Sequence, residues 1–184
     1  LALREAGVQP IIGCQITLQR EVNSGEVSQV SGDQLILLVQ SETGYNNLLK
    51  LSSKAYLGDE SLQPVEVSFS DLEAHSEGLI ALSGGPAGPV GRMLADGQDE
   101  AAIDCLNKLN AIFPDRFYIE LMRHGRDVEI QIEGSLINLA YQNNIPLIAT
   151  NEVFFAEREM HAAHDALICI AAGATLDQEN RRRE

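Results

Sequence analysis

The chain has 184 residues of which 45% are hydrophobic, enough for one sizeable core and too few to expect two. Lys and Arg total 13 against 27 Asp and Glu, a formal net charge of −14. That balance argues against tight nucleic-acid binding by this chain alone, which needs a basic face to neutralise phosphates; it suits solubility or a basic partner. Cys14, Cys105 and Cys169 are odd in number, far apart and without C-x-x-C spacing, so neither a zinc ribbon nor a disulfide framework fits, and packed, reduced thiols are expected. No apolar run approaches the ~20 residues of a membrane span, and the chain does not open on a signal-peptide pattern.

In chain order, residues 1–6 followed by Gly7 read as the last turns of a helix with a glycine stop. Residues 10–18 form a strand candidate. Residues 19–33 are polar, with turn signals at Asn23-Ser24-Gly25 and Ser31-Gly32-Asp33. Residues 35–39 are a continuous apolar run suited to a buried strand. A helix is expected from Ser41 to about Tyr56, with Tyr45, Leu48, Leu49 and Leu51 on one apolar face. Val65, Val67 and Phe69 alternate with polar residues and predict an extended stretch. Ser70, with Glu73 three positions on, predicts the capped start of a brief helix.

Residues 79–82 predict the next buried strand, and 83–89 its C-terminal loop. A short helix over 90–95 precedes a longer one over 99–112, whose first turn carries Asp99 and Glu100 as the helix dipole favours. Residues 117–122 predict a strand leading into Arg123-His124-Gly125-Arg126, then a helix over 128–143 despite Gly134. Pro146 opens the buried strand 147–149, whose C-terminal end delivers Thr150, Asn151 and Glu152. A last helix over 157–172 stops at Gly173. Buried parallel strands alternating with helices indicate an α/β sheet or βα-barrel, with the site at the C-terminal strand ends. Candidate site loops are 13–15 (partly within its strand), 83–88, 123–125 and 151–155. The first residue is Leu1 rather than Met, and 180–184 stop within a charged stretch, so a piece of a longer polypeptide is expected.

Several segments, in order, resemble the PHP (polymerase and histidinol phosphatase) domain at the N-terminus of the α subunit of bacterial DNA polymerase III, the family C replicative polymerases. Thr150-Asn151-Glu152-Val153-Phe154 resembles the family's Thr-Asn-Asp-x-His element, and Pro10-Ile11-Ile12-Gly13-Cys14-Gln15 its Pro-Ile-Ile-Gly-x-Glu. Gly44-Tyr45-Asn46-Asn47-Leu48-Leu49-Lys50-Leu51-Ser52-Ser53-Lys54-Ala55-Tyr56 is similar to a helix typical of the polymerase subunit. Gly78-Leu79-Ile80-Ala81-Leu82-Ser83-Gly84-Gly85, Phe113-Pro114-Asp115-Arg116-Phe117-Tyr118-Ile119-Glu120-Leu121 and Ala163-His164-Asp165-Ala166-Leu167 continue the likeness over nearly the whole chain. The resemblance implies a PHP-type βα-barrel, a distorted TIM-like fold, here a single partial domain over 1–184. Its first strands and a His-x-His element would lie upstream, and a polymerase palm, thumb and fingers downstream.

Active relatives hold zinc or manganese, which activates water and stabilises phosphoryl charge. The resemblance places metal-site positions at Gln15, Gly85, His124, Glu152 and Phe154. His124 matches the family's His, and Glu152 replaces Asp with an extra methylene. Gln15 replaces the family's Glu with an amide that cannot supply an anionic bridge, Gly85 stands where a Cys is common, and Phe154 replaces His with a ring that cannot ligate. The expectation is a vestigial site with no catalytic residue, no bound metal and no cofactor in this chain, and magnesium only in the downstream polymerase domain. Expected partners are the polymerase core of the same chain, the proofreading exonuclease subunit and other replicase subunits; DNA is reached through the parent protein, in the bacterial cytoplasm. Alternatives are an active phosphoesterase or 3′–5′ exonuclease using zinc or manganese, a free-standing PHP phosphatase, and a damage-tolerance paralogue of the polymerase.

His161 and His164 share a helix face, yet lack a third ligand and an identifiable base, so structural histidines are the better reading. Ser83-Gly84-Gly85 lacks the Gly-Lys-Ser/Thr of a Walker loop and reads as a tight turn. Cys14 has no identifiable base and reads as packed. Arg181-Arg182-Arg183 is either a solvated run or a nucleic-acid contact.

Overall fold

A computed structural model describes residues 2–20, 32–57 and 65–178. The turn signals at 23–25 and the arginines at 181–183 lie outside the described residues. The chain divides into two compact units, Leu1–Thr150 and Asn151–Glu184.

The first unit is mixed α/β. A short helix α1 (Ala2–Glu5) ends before Gly7, whose φ of 74° is the left-handed geometry of a helix stop. Strand β1 (Gly13–Leu18) pairs antiparallel with β2 (Asp33–Val39), and β2 antiparallel with β3 (Leu79–Leu82). Strand β4 (Phe117–Leu121) runs parallel to β3, and β5 (Leu147–Ala149) parallel to β4, giving one five-stranded sheet in the order β1-β2-β3-β4-β5. The expectation of uniformly parallel strands is corrected at β2. Helices α2 (Glu42–Leu57) and α3 (Phe69–Ala74) between β2 and β3 do not cross the sheet. They return the chain to the end it left, where Gln40 N–H donates to the Gly78 carbonyl at 2.9 Å and Val39 pairs with Leu79.

Period-two alternation gives the sheet one buried face. Ile16 and Leu18, Leu35 and Leu37, Leu79 and Ala81, and Phe117 and Ile119 are all buried on it. They share a core with Leu48 and Leu51 of α2, Val90 of α4 (Pro89–Ala95), Leu106 and Leu109 of α5 (Asp99–Ile112) and Ile132 and Leu136 of α6 (Asp127–Gln142). Each of the Leu, Ile, Val and Phe side chains contributes about 1.5–3 kcal/mol on burial. The opposite face is wetter, though Leu82 and Glu120 are buried there: Ile36, Leu38, Ile80 and Tyr118 are half-buried and Gln15 is exposed.

Two local expectations shift. The buried stripe of α2 is Gly44, Asn47, Leu48 and Leu51, while Tyr45 and Leu49 are exposed. Positions 44, 47, 48 and 51 follow the i, i+3, i+4, i+7 rule, and 45 and 49 sit about 100° round the helix. Helix α3 is capped by Ser68, not Ser70: Ser68 Oγ accepts from Asp71 N–H at 3.1 Å and donates to the Asp71 carboxylate at 2.8 Å, so Asp71 fills the role expected of Glu73. Val67 extends for one bridge to Leu18 and is fully buried, but Phe69 already belongs to the helix. Lys54 pairs with Asp71 between α2 and α3. An ion pair this exposed is worth ~0–1 kcal/mol, so the buried Leu51 and Leu72 dominate the docking of these helices.

Within the second unit, a 3-10 turn over Arg158–Met160 precedes α7 (His161–Ala172), so the regular helix starts four residues later than expected. Gly173 (φ 62°) ends it, with Ala174 N–H returning to the Cys169 carbonyl at 2.9 Å. Among the described residues no helix is long and apolar enough to cross a membrane. Cys105 and Cys169 are buried and Cys14 is half-buried, and no disulfide joins them.

The hinge of the α2–α3 excursion is a glycine contact. A Cβ on Gly44 would lie 1.8 Å from the Gly78 carbonyl oxygen, and Asn47 Nδ2 donates to the neighbouring Glu77 carbonyl at 3.0 Å. Gly44→Ala is expected to destabilise the fold by about 1–3 kcal/mol, as overpacking against backbone does. A thermal unfolding midpoint equal to that of the unmodified protein would refute this.

Candidate functional site at the strand ends

Gln15 sits inside β1, as the strand expected over 10–18 has it, opposite Ile36, which pairs in turn with Leu82 and through it with Tyr118. This row places Gln15 level with the last residue of β3, two strand spacings away, about 10 Å. Gly85 lies beyond Leu82, at the head of a 3-10 turn over Gly85–Ala87. Its φ is 53°, and a Cβ there would meet Met122 Sδ at 2.9 Å. A side chain at this position would have to move the flexible Met122 thioether aside and would be strained by the left-handed backbone.

The same loop shows what Ser83 and Gly84 do. Glu120, the fourth residue of β4, is fully buried and accepts a 2.6 Å hydrogen bond from Gly84 N–H through Oε2. The Glu120 backbone N–H donates to Ser83 Oγ at 3.0 Å. Gly84 is left-handed (φ 77°), and a Cβ on Gly88 would strike the Ser83 carbonyl oxygen at 1.7 Å. These glycines serve a close-packed turn whose Gly84 amide is turned inward to a carboxylate, in keeping with the tight-turn reading.

His124 follows β4 and is held by Glu129 of α6. Glu129 is buried; its Oε2 accepts backbone N–H bonds from His124 (2.7 Å), Gly125 (3.2 Å) and Arg126 (3.3 Å), and its Oε1 lies 2.7 Å from His124 Nδ1. Arg126 is the N-cap of α6 and Glu129 its third residue, so one side chain satisfies amides that the helix start and the loop would otherwise orphan. Burial pushes the Glu129 carboxyl up. Hydrogen bonds from the His124 ring and from the His124 and Arg126 amides outweigh it and hold the group below the ordinary carboxylate range. Arg123 is exposed and makes a bidentate pair with Glu133, both bonds 2.9 Å.

Near the β2 start, buried Asp33 accepts from Arg92 Nε at 2.6 Å and Nη2 at 3.0 Å, and from Arg20 Nε at 2.9 Å. Its bond with Asp33 raises the Arg92 pKa beyond its ordinary value, ahead of the opposing effect of burial. This clasp ties β2 to α4 beneath the glycine loop, and nothing in the sequence distinguished Asp33 from a turn residue.

Glu152 and Phe154 belong to the second unit, where both are exposed. Phe154 stacks on His164 with ring centroids 5.1 Å apart, and Phe155 meets His161 edge-on at 6.0 Å and lies tilted to His164 at 5.5 Å. Both histidines are thus occupied in an aromatic cluster. The strand ahead of them, β5, is half-buried rather than the buried strand expected. Among the described residues, no group of three His, Cys, Asp or Glu is placed to hold a metal ion. Reading the sequence missed Glu120, Glu129 and Met122. The signals were there for the two acids: a single carboxylate in an otherwise apolar strand, and a Glu at the third position of a helix.

This mixed α/β architecture, with its strand-end glycine turn and the His124 loop, is accounted for by one family. The chain belongs to the PHP domain family, whose profile matches residues 1–124. It is similar to proteins named DNA polymerase III subunit alpha: 44% identical to that of Caulobacter vibrioides over 98% of this chain, 40% to that of Rickettsia bellii over 96%, and 41% to that of Vibrio cholerae over 95%. The chain spans 16%, 14% and 15% of the length of those three relatives.

Because the folded-state pKa of Glu129 is depressed, its stabilisation is present above the unfolded-state carboxyl pKa and is lost as pH falls through the folded value. Glu129→Ala should cost about 2–3 kcal/mol near neutral pH. The gap to the unmodified protein should narrow on acidification below the ordinary carboxylate range, read by denaturant unfolding at a series of pH values. A gap that stays constant with pH would contradict the assignment.

Proposed function

We propose that this chain is a PHP domain of a DNA polymerase III α-type polypeptide, and that it works as a metal-free structural and interaction domain rather than as a hydrolase. The observation that carries the reading is the donor set. An amide at Gln15, a backbone at Gly85 backed by Met122, and a benzyl ring at Phe154 replace groups that a multinuclear cation site requires. His124 and Glu152 are too few to compensate. In this reading the sheet is completed into a βα-barrel by strands of the parent polypeptide. The domain supports the polymerase core of the same chain and contacts the proofreading exonuclease subunit or other replicase subunits in the bacterial cytoplasm. Magnesium chemistry belongs to the polymerase domain, and DNA is reached there, away from this acidic segment.

One observation favours the rival, an active metal-dependent phosphoesterase or 3′–5′ exonuclease: His124 retains a carboxylate partner on its ring, as metal-ligating histidines commonly do. Elemental analysis decides between them. The purified parent protein is expected to carry less than stoichiometric zinc or manganese and to leave a generic phosphodiester unhydrolysed when either ion is added. Stoichiometric, tightly held metal would overturn the proposal. Deleting this region is expected to lower the unfolding temperature of the polymerase or weaken its affinity for the exonuclease subunit; if both are unchanged, the structural role fails.

A further inference from the structure

Glu129 does more than close the loop after β4; its geometry selects one of the two neutral forms of the His124 imidazole. Its two oxygens have separate tasks. Oε2 collects the amide hydrogens of His124, Gly125 and Arg126 at 2.7, 3.2 and 3.3 Å, and Oε1 faces His124 Nδ1 at 2.7 Å. A carboxylate only accepts. The hydrogen in the short contact therefore belongs to the ring nitrogen, and a neutral His124 must carry it on Nδ1. We propose that Glu129 is a positioning residue that fixes His124 as the Nδ1–H tautomer, so that the ring's lone pair resides on Nε2 and the residue offers an electron pair, not a hydrogen, to whatever it meets there.

The inference rests on the β4–α6 geometry alone and holds whether or not the metal-free reading does. It also assigns a cause that burial cannot supply. His124 is held in place by its own backbone amide and its ring through one carboxylate, so ring orientation and loop conformation are set together. The chain offers an internal comparison in His75, whose Nδ1 lies 2.9 Å from the Asp71 backbone carbonyl. A carbonyl also only accepts, so His75 should show the same tautomer for a reason independent of Glu129.

Nitrogen-15 NMR of histidine-labelled protein reads this directly, since a nitrogen bearing hydrogen and one bearing a lone pair resonate far apart. The protein has four histidines, and His124→Gln assigns the signal. At a pH where the ring is neutral, His124 is expected to carry hydrogen on Nδ1; hydrogen on Nε2 in the unmodified protein overturns the proposal. Glu129→Gln is the discriminating variant. Its single carbonyl oxygen is claimed by the three amides, which turns its NH2 toward the ring and makes Nδ1 the acceptor. The His124 tautomer should invert while His75 stays as it was. An unchanged His124 in folded Glu129→Gln would show that something other than Glu129 sets the ring. Should that variant fail to fold, Glu129→Asp, too short to serve amides and ring together, is expected to give a mixture of tautomers, and a pure Nδ1–H signal would again refute the assignment.

Discussion

The one-sided burial of the sheet governs everything else in the first unit. Because side chains alternate, a slip of one residue in any strand would carry Leu35, Leu37, Leu79 or Ile119 from the helices to the wetter face. Register is therefore tightly specified, and register decides which residues reach the strand ends at the same height. Gln15 is level with Leu82 because Ile36 lies between them in both ladders, although β1 and β3 are far apart in sequence. The candidate site is thus a by-product of core packing, placed by residues that take no part in it.

At those strand ends the organising groups are buried acids. Glu120 holds the turn after β3 by a single amide, and Glu129 holds the loop after β4 by three amides and a ring. Asp33 does the same for α4 through two guanidinium groups. A buried carboxylate is costly unless it is engaged, and Asp33 and Glu129 are engaged through both oxygens by groups of the chain itself. The loop after β4 and the start of β2 are consequently ordered by donors of the chain itself.

Much of the fold was legible. Strand and helix positions follow from apolar runs and their boundaries, and α5 spans Asp99–Ile112 as expected. Strand direction was not legible at β2, because an apolar run looks alike in either direction and only the return of the chain at Gln40 and Gly78 reveals it. The cap at Ser68 was missed since Ser68, Ser70, Asp71 and Glu73 offer two equivalent capping patterns, and the burial of Leu72 selects between them. For the site, the family likeness located Gln15, Gly85 and His124 but said nothing of how they are held. Met122, Glu120 and Glu129 work through contacts between elements, which a linear pattern does not display. The partners of Phe154 are a further example: two histidines that resemble a metal pair in sequence are ring neighbours of the phenylalanines before them.

The backbone at Gly85 restricts what that position can carry. Gly85 adopts a left-handed backbone, so any side chain placed there would carry torsional strain, while the flexible Met122 thioether beside it could swing aside. Backbone conformation, ahead of side-chain chemistry, thus filters what this turn can display.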